Sequence, residues 1–330
     1  MKKESCIFRV ASHPNAGGGH INRSLALAED LSNYLKIKFV IDNKGRNWIP
    51  YIKKFGFDSV TIKNFRKEKV GISILDGYEF SKNELQKWRK ISRFLIFICD
   101  YKPNIHHYNL ALFPSRKIKD GKKNKTFSGL QYALINKSIR NTKKPRIKKR
   151  VHNILVCFGV FDSKNATGLT INILKEIAKK NHDLRTKVLM TSKSMHLNRV
   201  KDQIKNIDSN IDLVTDKENI IPLLYKADLS IGSAGNNLLE RAAMGVPSIT
   251  ITTAKNQDHL AEYLNHHGST INLGSINKIS VQKLETTINK LLKNHKLRST
   301  MSRKGKALVD GFGVKRSSKE ILNLLNREKL

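Results

Sequence analysis

Acidic residues are what this chain most conspicuously lacks: 27 Asp and Glu stand against 62 Lys and Arg, a formal charge of +35 over 330 residues. Cysteine is scarce as well. The three thiols, Cys6, Cys99 and Cys157, are far apart and sit in apolar segments, which excludes a disulfide framework or a zinc site and fits a reducing compartment. No apolar run approaches the roughly 20 residues of a membrane span, and the apolar part of the N-terminal MKKESCIFRV is too short for a signal peptide. A soluble cytoplasmic protein is expected. There is no Asp-x-Asp motif to hold Mg²⁺, so no metal and no cofactor are expected.

The excess of cation invites a polyanion as partner. Aromatic residues are only 7 % of the chain and do not interleave with the basic clusters at Arg116 to Lys125 and Lys143 to Arg150, so no stacking platform for bases is present and no specific nucleic acid is expected. Two readings stay open: a compositional bias that places lysine on solvated faces, and attraction to an anionic partner, either acidic sugar chemistry or a membrane surface, the latter putting the protein at the inner membrane face. Nothing in the residues sets an oligomeric state.

What is present is a regular alternation of strand and helix. AGGGHINRSLALAEDL, residues 16 to 31, follows the apolar run Cys6 to Val10 and leads into a helical pattern of Ile21, Leu25, Ala28, Leu31 and Leu35. Strands are expected at Lys36 to Asp42, Ser59 to Lys63, Gly71 to Phe80, which ends in Asp76-Gly77-Tyr78, and Arg93 to Asp100, with helices at Trp48 to Phe57 and Ser81 to Ile91. From Tyr101 to Arg150 the pattern loosens, and the polar stretch around Pro145 is read as an interdomain linker. A second alternation starts at Asn153 to Asp162 and runs to a last helix at Lys315 to Lys329. The order predicts an α/β protein with residues 1–145 as one Rossmann-like domain and residues 151–330 as another, the two facing a central cleft and the last helix crossing back to the first.

Three consecutive glycines, Gly17, Gly18 and Gly19, let the backbone approach a ligand, and His20 stands where that ligand would be met. Arg23 follows one turn later as a cap-region cation or an orienting group. The turn is not a dinucleotide fingerprint, because the helix opens with His-Ile-Asn-Arg and Asp42 is only a loose match to a ribose acid. In the second half Ser233, Ala234, Gly235 and Asn236 end a strand, and small residues there admit a diphosphate to a helix N-terminus. Glu240 lies one turn inward, where a carboxylate can accept from ribose hydroxyls. Asn256 and Gln257 follow the next strand and can bind sugar hydroxyls or N-acetyl groups.

Taken together, GGGHINRSLALAEDL, ILDGYEFSKNELQKW, SGLQYALI, ILVCFGVFDSKNATGLT, IGSAGNNLLERAAMGVPSITI and AKNQ resemble, in order and over most of the chain, the UDP-2,4-diacetamido-2,4,6-trideoxy-β-L-altropyranose hydrolases of pseudaminic-acid biosynthesis. That family in turn resembles the GT-B glycosyltransferases. The resemblance implies a GT-B fold and removal of UDP from an amino or deoxy sugar at its anomeric C1 with inversion. His20 matches the general base, Tyr78 and Asn256 match residues facing the sugar and the water, and Glu240 matches the ribose acid. Ser233 to Asn236 match the diphosphate loop, with Gly159 at the turn after the first strand of the second half. Three positions depart from the family pattern. Ala11 replaces an acid after the first strand, Val160-Phe161 replaces a glycine-serine pair, and Asp100 stands alone for paired aspartates. An inverting glycosyltransferase with a sugar or lipid acceptor is the alternative, since His20 can deprotonate either nucleophile.

Overall fold

The structure is a computed structural model that describes residues 3–13, 16, 18–66, 68–78, 80–100, 108–118, 125–205, 210–217 and 219–326. It divides into two compact units, Met1–Lys137 with Gly311–Leu330, and Ser138–Asp310. The lysine-rich stretch around Pro145 therefore lies inside the second unit, where Arg298 donates to the backbone carbonyls of Lys148 and Lys149 at 2.8 Å each.

The first unit is built on seven parallel strands: β1 (Glu4–Val10), β2 (Leu35–Ile41), β3 (Asp58–Thr61), β4 (Val70–Asp76), β5 (Ser92–Ile98), β6 (Leu110–Phe113) and β7 (Lys125–Ser128). Their order across the sheet is β3-β2-β1-β4-β5-β6-β7. The strands β1, β4 and β5 carry near-continuous apolar runs, as strands covered on both faces must. Helices α1 (Gly19–Leu31), α2 (Ile49–Lys54) and α3 (Lys82–Ile91) connect them. Ser81 caps α3 by accepting from the Glu84 amide, the usual way to satisfy one of the orphan N–H groups of a first turn.

The second unit opens with the single turn α4 (Ser138–Asn141) and repeats the plan on six parallel strands. These are β8 (Asn153–Cys157), β9 (Arg185–Met190), β10 (Ile211–Thr215), β11 (Leu229–Gly232), β12 (Ser248–Thr252) and β13 (Thr270–Ser275), in the order β10-β9-β8-β11-β12-β13. Between them run α5 (Ala166–Ala178), α6 (Leu197–Lys205), α7 (Ile221–Lys226), α8 (Asn236–Met244) and α9 (Asp258–His266); α10 (Val281–Lys293) and α11 (His295–Leu308) follow. The last helix, α12 (Gly313–Asn326), belongs to the first unit, where Arg316 donates to the Gln131 carbonyl at 2.9 Å.

Strands β6, β7 and β13 were not part of the expected alternation. In both sheets the order reverses beside the first strand, between β1 and β4 and between β8 and β11. Such reversals open a crevice at the carboxyl ends of the strands, where open α/β sheets place ligands. The three cysteines are free and buried, and burial raises their pKa values.

Candidate active site and anion-binding turn

Strand β1 ends at Val10 directly beside Asp76, the last residue of β4. Helix α1 starts from Gly18, whose φ of −86° needs no glycine, and a Cβ at Gly19 would meet nothing within 4 Å. His20, Arg23 and Ser24 follow at positions i, i+3 and i+4, so one turn aims all three side chains the same way. They converge on one carboxylate. Asp76, fully buried, takes His20 Nδ1 at 2.6 Å, Arg23 Nε and Nη2 at 2.8 and 2.6 Å, and Ser24 Oγ at 2.9 Å. Burial penalises the Asp76 charge, but Arg23 and then His20 outweigh it, and its pKa is lowered. An ionised Asp76 cannot donate, so His20 Nδ1 carries a proton, and in the neutral imidazole Nε2 is then the acceptor nitrogen.

The network extends to Asp100, just beyond β5. Arg23 Nη1 reaches both its oxygens at 3.0 and 2.9 Å, Tyr78 donates its hydroxyl at 2.5 Å and Ser115 at 2.7 Å. Burial again opposes the charge of Asp100, and Arg23 and the Tyr78 hydroxyl hold its pKa well below the carboxylate range. Burial likewise disfavours charge on Arg23, but Asp100 and Asp76 hold it firmly protonated. The Tyr78 ring stands edge-on to His20 with centroids 4.7 Å apart, and Tyr78 is 42 % exposed.

Where the family pattern has an acid, Ala11 packs against Gly77: a Cβ on that glycine would lie 2.7 Å from the Ala11 methyl. The loop after β1 is held by Asp42 instead, which accepts from the amides of Ser12 at 2.7 Å and His13 at 3.1 Å and from Arg9 Nη2 at 2.5 Å. The carboxylate of Asp42 is thus committed to the chain's own backbone. Gly17, His106 and His107 lie outside the described residues.

In the second unit the turns after β8 and β11 adjoin. Gly159, at φ +91°, would place a Cβ 3.8 Å from Ser233 Oγ. Asp162, two residues past Val160, accepts from the amides of Ala166 and Thr167 at 2.9 Å and so closes the N-terminus of α5. Nothing similar closes α8. Its cap residue is Gly235, no side chain caps it, and a Cβ there would meet nothing within 4 Å. The positive end of the α8 dipole therefore lies at this turn with no side-chain cap, and in its first turn Leu238 N–H donates to the Gly235 carbonyl at 2.9 Å. Glu240 lies one turn in and is half-buried. Asn256 is exposed in the turn after β12, the neighbour of β11, and Gln257 spends its Oε1 on the Thr253 amide at 3.0 Å.

The structure thus brings His20, Arg23 and Tyr78 together in the first unit. It gathers Gly159, Ser233, Ala234, Gly235 and Asn236 in the second, with Glu240 beside them. The residues that sequence reasoning did not assign to the site are Asp76, Ser24, Asp100 and Ser115. Asp76 and Asp100 did show one signal, an acid closing a buried strand.

Residues 154–317 match the glycosyltransferase family 28 C-terminal domain. The chain is 26 % identical over 276 residues to the UDP-2,4-diacetamido-2,4,6-trideoxy-β-L-altropyranose hydrolase of Campylobacter jejuni, covering 79 % of this chain and 96 % of that one. It is 24 % identical over 258 residues to an uncharacterised protein of Methanocaldococcus jannaschii, covering 71 % of this chain but only 53 % of that relative's length. Among solved structures, MurG of Acinetobacter baumannii superposes with a TM-score of 0.67 at 14 % identity, covering 97 % of this chain and 99 % of that one. The fold is of the GT-B class, and the resemblance to the altropyranose hydrolase extends over most of the chain.

Proposed function

With residues 154–317 carrying a glycosyltransferase family 28 C-terminal domain, we propose that the protein is a nucleotide-sugar hydrolase that releases UDP from an amino or deoxy sugar with inversion at C1. The product would be a free sugar for nonulosonic acid biosynthesis of the pseudaminic type. The observation that carries the reading is the buried His20–Asp76 pair, with its free Nε2 at the carboxyl edge of a parallel sheet. Water adds its oxygen to C1 while its proton passes to Nε2. The bond from C1 to the β-phosphate oxygen breaks with its electron pair, and UDP departs. A positioned base contributes about 10² to 10⁴ in rate. In the second unit, the start of α8, which has no side-chain cap, suits the charge of a diphosphate.

A glycosyltransferase uses the same residues with an acceptor hydroxyl in place of water, and the family 28 match favours it. One incubation separates the two: a panel of UDP- and CMP-sugars, without acceptor, assayed for free nucleotide and for the anomer released. The hydrolase reading expects UDP and free sugar of inverted configuration from wild type. It also expects His20→Ala to fold and bind UDP while losing turnover. Wild-type turnover in that variant would overturn it, and nucleotide release only in the presence of an acceptor would establish the transferase.

A further inference from the structure

The second unit contains a cation that the reaction scheme above does not use. Arg241, in the middle of α8, is 1 % exposed and is among the largest fully buried side chains. No carboxylate forms an ion pair with it among the described residues, although Cys157 and the neighbouring Glu240 favour its charge electrostatically. Its guanidinium lies beneath the turn after β11, where Nη2 donates to the Ser233 carbonyl and Nε to the Asn237 carbonyl at 3.4 Å. Nη1 has no hydrogen-bond partner. Residue 232, on the strand above it, is glycine: a Cβ there would overlap the Cys157 carbonyl and lie 3.1 Å from Nη1. Burial lowers the pKa of Arg241 to about 10, so it stays protonated at neutral pH.

A buried charge without a hydrogen-bonded counter-charge is costly, and keeping it depends on what compensates it. The hydrogen bonds show what the chain gains. A trans peptide holds its C=O and N–H in opposite directions. Drawing the Ser233 carbonyl down onto Arg241 therefore turns the Ala234 N–H away from it. The amides of Ala234 and Gly235 have no acceptor among the described residues. Such a turn, backed by a cation and continued by the uncapped α8, is shaped for a multiply charged anion.

We propose that Arg241 is a positioning residue for the diphosphate, fixing the outward set of amides in the Ser233–Asn236 turn and supplying the charge that the bound anion completes. The proposal rests on the nucleotide-sugar reading for the identity of its ligand, not for the anion site itself. It divides the affinity for UDP into a nucleoside part that does not involve Arg241 and a diphosphate part that does.

The test is calorimetric titration of wild type, Arg241→Gln and Arg241→Lys with UDP, uridine and inorganic pyrophosphate, with circular dichroism confirming the fold. Arg241→Gln is expected to weaken UDP and pyrophosphate by about tenfold or more, the scale of one charge-assisted contact, while uridine changes less than about twofold. Arg241→Lys keeps the charge but replaces the planar fork by a point ammonium, and falls between. Equal losses for UDP and uridine, or no loss in a folded variant, would overturn the assignment. Should neither variant fold, the wild type still decides: pyrophosphate alone must raise its unfolding midpoint, and failure to do so removes the anion site. If wild type binds pyrophosphate through Arg241 but prefers neither UDP nor any other nucleotide over pyrophosphate, the nucleotide-sugar reading fails while the anion site stands.

Discussion

Asp76 is the residue on which the first site turns, because it fixes both the tautomer of His20 and the charge of Arg23. Replacing it with Asn keeps the shape but removes the charge and leaves one acceptor oxygen where His20, Arg23 and Ser24 use two, so the imidazole loses its enforced orientation. Asp76→Asn is expected to lower turnover by about 10² to 10⁴, as loss of a well-placed base does, with UDP affinity within about threefold of wild type. Steady-state kinetics and a UDP titration check it, and near-normal turnover would show that Asp76 is only a packing group. The same carboxylates give a pH signature. Both have folded pKa values below the unfolded value of about 3.9. The stability they contribute is full above that value and is lost as pH falls through the lower folded values. Acid unfolding of Asp100→Asn followed by circular dichroism should be shallower with pH than that of wild type. The sequence exposed His20, Arg23 and Tyr78 through local spacing. It did not expose that His20 leans on a residue 56 positions away, since that pairing needs β1 to lie beside β4, past β2 and β3.

At the scale of elements, the central strands and most helices were legible because their apolar periodicity is strong. Strands β6, β7 and β13 were not, for separate reasons. Strand β7, KTFS, is half-buried throughout and lies at the edge of its sheet, so it has no apolar run to read. Strand β13, TINLGS, is also an edge and contains polar residues and a glycine at φ +83°. Strand β6, LALF, is fully buried but only four residues long, below the length at which a pattern separates from chance. Two local features carry predictions of their own. Loss of the α3 cap in Ser81→Ala should cost about 1 kcal/mol, measured by urea unfolding; no change would show that Glu84, which also pairs with Arg9 at 2.8 Å, anchors the turn alone. Gly313, at the start of α12, lies against the backbone of Ala133 and Tyr132, where any Cβ would overlap. Gly313→Ala should therefore destabilise by about 1–3 kcal/mol through overpacking, and a neutral result would mean that α12 can slide along its seat.

At the scale of the whole molecule, the charge dominates. The stretch from Lys143 to Arg150 runs against α11: His295 contacts the Ile147 carbonyl at 3.3 Å, and Arg298 holds Lys148 and Lys149. Burial first, and then the nearby Lys306, lower the pKa of Lys144. Like charges kept this close oppose folding. Raising ionic strength from about 0.01 M to about 0.15 M shortens the Debye length from about 30 to about 8 Å. The unfolding midpoint is therefore expected to rise with salt over that range, measured by calorimetry; a fall would mean that favourable ion pairs outweigh the repulsion. Among the described residues, no helix is long and apolar enough to cross a membrane.

Helix α12 adds an order of events to this architecture. The first unit takes residues from both sides of the second, so its seven-stranded sheet is translated long before the helix that packs on α1 and on the turn at Leu130–Tyr132. The second unit is contiguous and can close as it leaves the ribosome. The first must wait with one flank uncovered until Gly313 to Asn326 emerge, so a stalled or truncated nascent chain would present a folded second unit and an unfinished first unit to chaperones and proteases.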